Sequence, residues 1–157
     1  MNPRLRTVGL ALIPAAAAIL TASVIFFVDP QSSSQNTSLK ELKITRADTK
    51  QERYRGLSGR ESLPADQGLL LVYDTSKRHG IVMRDMNFPI DIIWLDARGS
   101  IVDIKRGAKP NSYQSRTNHT VFKPQKPARY VLEVNAGVAE RRNYDGDTNL
   151  SKYLPQR

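Results

Sequence analysis

Met83-Arg84-Asp85-Met86-Asn87-Phe88-Pro89-Ile90-Asp91-Ile92-Ile93-Trp94-Leu95-Asp96 decides how this chain folds: a polar knot, a proline, then a strand of strong apolar character. Side chains alternate along a strand, so Ile90, Ile92 and Trp94 share one face while Ile93 and Leu95 share the other. A strand apolar on both faces belongs inside a sheet, not at its edge. Asp96-Ala97-Arg98-Gly99 then reads as a tight turn, with glycine supplying the positive φ, into a strand over 100–105.

Working outward, the region before the knot predicts a half-buried strand over 39–47, with Leu42 and Ile44 on one face. Asp48, followed three positions later by Gln51, resembles a capping box and predicts a short helix over 49–57, ended by Gly56 or Gly59. Further strands are expected over 69–73 and 81–84. Beyond the turn, 109–125 is rich in Pro, Asn, Ser and Thr and reads as a long loop interrupted only at Val121-Phe122. A strand over 129–135, a helical turn over 136–142 and a closing strand over 148–153 complete the chain. Short strands separated by turns predict a mainly β domain with two short helices, built as a sandwich or distorted barrel.

Four blocks in order resemble a known family. Arg55-Gly56-Leu57 with Arg60 is similar to an Arg-Gly-Leu-Met-x-Arg element, and Gly68-Leu69-Leu70-Leu71-Val72-Tyr73 to a Gly-Met-Leu-Phe strand. The knot and strand at 83–96 match a Trp-Met-Lys-Asn-Thr, Pro-Leu-Asp signature, and Tyr130–Gly137 with Gly146-Asp147 resembles closing elements. The chain thereby resembles the domain of unknown function 192. The resemblance implies a compact, jelly-roll-like β architecture and no particular reaction. Ser58 stands where the family pattern has Met, and Val82 where it has Trp.

The first 30 residues read differently. Residues 8–28 carry no charge and as a helix would span about 30 Å, the thickness of a hydrocarbon core. They predict a transmembrane anchor, with a cleaved signal peptide as the competing reading. Arg4 and Arg6 precede the run and Asp29 follows it, so the N-terminus is expected in the cytoplasm and the C-terminal domain outside it, in a single-pass arrangement. The Ser-rich, uncharged stretch 31–38 reads as a tether, leaving 39–157 as one domain.

Composition narrows the chemistry. The 157 residues hold no cysteine, which excludes disulfides, thiolate metal sites and a thiol nucleophile; the two histidines, His79 and His119, stand 40 positions apart and form no zinc motif. No cofactor or metal is expected. Asn143, Asp145, Asp147 and Asn149 alternate like calcium ligands, but the glycine and the terminal glutamate of such a loop are not in place. The net charge is +9, and without Arg4, Arg6 and Asp29 the remainder, with 22 basic and 14 acidic residues, carries +8. Such a domain outside a membrane is drawn to anionic lipid headgroups, wall polymers or glycans. The topology and the lack of an aromatic stacking motif argue against nucleic acid.

Four residues stand out as candidate ligand contacts: Arg60, Met83, Asp91 and Glu133. Met83 and Met86 are apolar groove linings or core filler. Asp91 opens its strand, where a carboxylate reaches a cleft at the end of a sheet. Glu133 lies in a buried strand, where its charge needs a partner; an ion pair with Arg60 or Arg55 is expected, so Asp91 is the better functional candidate. The reading leans to a binding or accessory module at the cell envelope over an enzyme. The alternative is an envelope hydrolase or carbohydrate-active enzyme, which requires Asp91 and Glu133 in one cleft.

Overall fold

A computed structural model describes residues 41–156. The expected anchor over 8–28 and tether over 31–38 lie outside them. Among the described residues no helix is long and apolar enough to cross a membrane.

Five strands form one open sheet: β1 (Lys43–Ala47), β2 (Gln67–Lys77), β3 (Ile90–Leu95), β4 (Ile101–Ala108) and β5 (Ala128–Asn135), in the spatial order β1-β2-β5-β3-β4. β1 runs parallel to β2, with Lys43 opposite Gln67 and Ala47 opposite Leu71, and the other pairs are antiparallel. A parallel pair needs a crossover, and residues 48–66 supply it through helix α1 (Lys50–Arg55). Helix α2 (Val138–Arg141) follows β5. The mainly β character and the two short helices match the sequence reading. The single open sheet differs from the expected sandwich or barrel, because loops and helices cover its two faces where a second sheet would have packed.

β3 is internal, as its composition requires, and all six of its residues are buried. Ile90, Ile92 and Trp94 pack with Leu57, Leu63 and Met83 on the α1 side. Ile93 and Leu95 pack with Leu132, Val134, Val138 and Tyr144 on the α2 side. The sheet thus separates two apolar layers, each burying side chains worth about 1.5–3 kcal/mol apiece.

Local differences from the sequence reading have local causes. The helix cap is Thr49, not Asp48: the Thr49 hydroxyl accepts from Glu52 N at 3.1 Å and the Glu52 carboxylate accepts from Thr49 N at 2.9 Å, which also holds the Glu52 carboxyl below its usual range. Residues 81–84 make only one bridge, Ile81 to Phe122, since their neighbours spend hydrogen bonds on another loop. The closing strand is instead a bridge at Asn149 and a single 3-10 turn over Ser151–Tyr153, which buries Tyr153 and Leu154. The turn at Gly99 forms as expected. Its φ is +88°, and a Cβ there would meet the Ser151 backbone at 2.6 Å, so no other residue fits without rearrangement.

Candidate functional site

On the α1 side of the sheet lies a cleft of about 420 Å³. α1 forms one wall. Lys50, Arg53 and Tyr54 recur at helical spacing and line the cleft, joined by Arg55 and by Gly56, which ends the helix at φ +53°. The opposite wall is apolar and comes from Leu71 on β2, Ile81, Val82, Met86 and Ile90. The floor is Glu133 of β5.

Arg53 donates to Val72 O at 2.7 Å and to Asp48 O, and its guanidinium lies 5.1 Å above the Tyr73 ring. Tyr73 in turn stacks on His79, with centroids 3.6 Å apart and planes 11° from parallel. Trp94 Nε1 donates to His79 O at 2.9 Å, so this wall is anchored in the core. Across the mouth, Arg84 lies 3.8 Å from the centroid of the Tyr54 ring and donates to Tyr54 O, and its Nε is 3.7 Å from Asp85.

The polar knot has a structural task. Ser58 Oγ donates to Arg84 O at 2.7 Å, Gly59 N to Asp85 O at 2.7 Å, and Asn87 Nδ2 to Arg60 O at 2.8 Å. Two sequence blocks separated by over twenty residues are stitched together, and the seam forms one end of the cleft. Ser58 and Val82, the two departures from the family pattern, both line it.

Glu133 is the unusual group. It is 5% exposed, and among the described residues no hydrogen bond or ion pair within 4 Å meets its carboxyl. A Cβ on Gly56 would stand 3.6 Å from Glu133 Oε2, so the bare backbone of that glycine faces the acid. Burial raises the Glu133 carboxyl from its ordinary 4.5 to about 7, and the charge of Arg60 opposes the rise without cancelling it. Tyr73 is pushed up in the same pocket by burial and by Glu133, against the pull of Arg53. The site therefore holds an acid poised near neutrality beneath the cationic side chains Lys50, Arg53, Arg55 and Arg84.

The four residues singled out from sequence do not converge. Of them, Glu133 alone lines the cleft. Met83 is 1% exposed and packs in the α1-side core, whereas Met86 lines the cleft. Arg60 is exposed and reaches Glu133 only through its field. Asp91 lies on the other face: it pairs with Val134, while Ile92 pairs with Glu133, so one residue of register sends the two carboxylates to opposite sides of the sheet. Asp91 is fully buried there, its Oδ1 accepting from Gly107 N and its Oδ2 from Ala139 N, each at 2.9 Å. The cleft role expected for Asp91 and the ion pair expected for Glu133 are thus corrected, and the two acids form no catalytic pair. The sequence reading missed Lys50, Arg53, Tyr54 and Arg55. The i, i+3, i+4 spacing of Lys50, Arg53 and Tyr54 on a six-residue helix was the available signal.

Among the described residues no group of three or more His, Asp or Glu side chains gathers for a metal. Asp145 instead accepts from Asp147 N at 3.1 Å and from the Thr148 hydroxyl at 2.8 Å, a local turn that holds its carboxyl below the usual range.

An open mixed sheet carrying a cationic, acid-floored cleft defines a small, mainly β domain. The chain belongs to the DUF192 family, described as Uncharacterized ACR, which it matches over residues 31–151. It is 31% identical over 96 residues to the UPF0127 protein TK1120 of Thermococcus kodakarensis, a match covering 61% of this chain and 55% of that one. The chain thus spans about half the length of this relative. Its fold is similar to that of a Sinorhizobium meliloti protein put forward as a transcription regulator, at TM-score 0.62 and 25% identity, covering 69% of this chain and 79% of the other. A Novosphingobium aromaticivorans protein of unknown function is similar at TM-score 0.62 and 24% identity, over 69% of this chain and 73% of its own.

Proposed function

We propose that this domain is a binding module that takes an anionic group of a cell-envelope ligand (polymer, glycan or lipid headgroup) into the α1-side cleft. The single observation that carries the reading is the composition of that cleft, which the cationic side chains of Lys50, Arg53, Arg55 and Arg84 line. An anion is attracted by the rim, and the low-dielectric interior strengthens that attraction. The N-terminal run over 8–28 supports an envelope location with the domain outside the cytoplasm. The two-carboxylate hydrolase loses its support, because Asp91 and Glu133 face opposite sides of the sheet.

The test is titration calorimetry of the full chain with inorganic phosphate and with an anionic polymer at low and at physiological salt. Binding that weakens as salt rises, and weakens further in a Lys50→Ala/Arg55→Ala variant, is the expected result, since exposed charges are screened beyond about 8 Å at 0.15 M. Absence of binding at low salt, or binding indifferent to the two substitutions, contradicts the reading. The location is tested separately: protease added to intact spheroplasts should digest the domain, and full protection reverses the orientation.

A further inference from the structure

The reading of the cleft as an anion site leaves three of its features unused. The first is Glu133, whose carboxyl has no hydrogen bond among the described residues and opens into the cleft. The second is Tyr54, whose ring is 67% exposed at the cleft mouth yet is held in place by the Arg84 guanidinium at 3.8 Å. The third is size. About 420 Å³ is within the range of small-molecule pockets and far more than a lone phosphate fills.

Building on the anion reading, we propose that the ligand is an anionic saccharide unit, a sugar phosphate or uronate, with its charge on Lys50 and Arg55, a hydroxyl on Glu133 and its ring against Tyr54. The choice follows from the chemistry of each contact. A hydroxyl both donates and accepts, so it satisfies the Glu133 carboxyl whether that group is neutral or ionised. A ligand ammonium would have to enter past Lys50, Arg53, Arg55 and Arg84, and a second anion would meet the acid itself. The C–H face of a pyranose ring suits an exposed aromatic platform, and the apolar wall of Leu71, Ile81, Val82 and Met86 takes the less polar side of the sugar. Ser58 and Val82, being small, leave room for it.

Titration calorimetry on the full chain with glucose 6-phosphate, glucuronate, glucose and inorganic phosphate tests the assignment. Each anionic sugar should bind about tenfold or more tightly than glucose, and glucose 6-phosphate likewise than inorganic phosphate, the scale of one further well-formed polar contact. Glu133→Leu should remove the advantage of glucose 6-phosphate over inorganic phosphate. Tyr54→Ala, at an exposed position that does not threaten folding, should weaken both anionic sugars by a larger factor than phosphate, and it carries the test if the leucine variant fails to fold. Equal affinity for phosphate and sugar phosphate, or a sugar advantage untouched by Tyr54→Ala, overturns the saccharide assignment and leaves the anion site standing. Binding of none of the three anionic probes overturns both.

Discussion

Two carboxylates buried in neighbouring strands of one sheet have opposite fates. On the α2 side, both oxygens of Asp91 accept backbone N–H groups, from β4 and from the start of α2. On the α1 side, Glu133 is buried without a hydrogen-bond or ion-pair partner among the described residues, and its acidity is shifted to about 7. The first arrangement ties elements together and leaves nothing over for a ligand. The second costs stability and leaves a hydrogen-bonding group at the bottom of a cleft. Burial alone therefore does not distinguish scaffold from site in this fold; what the protein itself supplies to the carboxylate does.

The largest expected effect breaks the scaffold side of that contrast. Asp91→Ala removes the acceptors of two buried N–H groups, and each orphaned donor costs about 1–3 kcal/mol. Chemical denaturation should show a loss of about 2–6 kcal/mol, with anion affinity at the cleft unchanged in the folded fraction. A near-neutral Asp91→Ala would make the two carboxylates alike.

On the site side the effect has the opposite sign and depends on pH. The Glu133 carboxyl holds its proton to about 7 in the folded chain and to about 4.5 when unfolded, so the folded state binds more protons between those values. The stability contributed by the neutral acid is fully present below pH 4.5 and is lost as pH rises to about 7. The shift corresponds to about 3 kcal/mol. Glu133→Gln, neutral and of the same shape, should leave stability unchanged at pH 4 and raise it by up to that amount at pH 8. Urea unfolding across the pH range measures the difference directly; parallel curves for the two proteins would show that Glu133 is solvated, and a difference of opposite sign that it is ion-paired.

The smallest effect sharpens the comparison at the helix that forms the cleft wall. Thr49→Ala removes one half of the capping box, for a loss of about 1 kcal/mol. Because α1 carries Lys50, Arg53, Tyr54 and Arg55, the same change should weaken anion binding, read by calorimetry, although Thr49 does not line the cleft.

Much of the scaffold was legible beforehand. The two-faced apolar pattern of 90–95 fixed β3 as an internal strand and assigned Ile92 and Trp94 to one layer and Ile93 and Leu95 to the other. The Gly99 turn, the helix before Gly56 and the helical turn after Ala136 were equally readable, because capping and turn chemistry are local. The site was not. Whether Asp91 and Glu133 share a face depends on the register between β3 and β5, and strands apolar on both sides carry no mark of which face a cleft will occupy. The extent of the strands failed where long-range bonds took over. Residues 83–87 read as the end of a strand entering a knot, yet their hydrogen bonds run to 54–60, a pairing invisible in either segment alone.

The central claim is that Glu133 is a buried acid at the floor of the cleft, with no hydrogen-bond or ion-pair partner among the described residues. Carbon-13 NMR of its side-chain carboxyl, assigned by comparison with Glu133→Gln and followed from pH 3 to 10, tests this most directly. A midpoint near 7 is the predicted result. A midpoint at or below the ordinary 4.5 would mean that Glu133 is ion-paired or solvated, and would contradict the account.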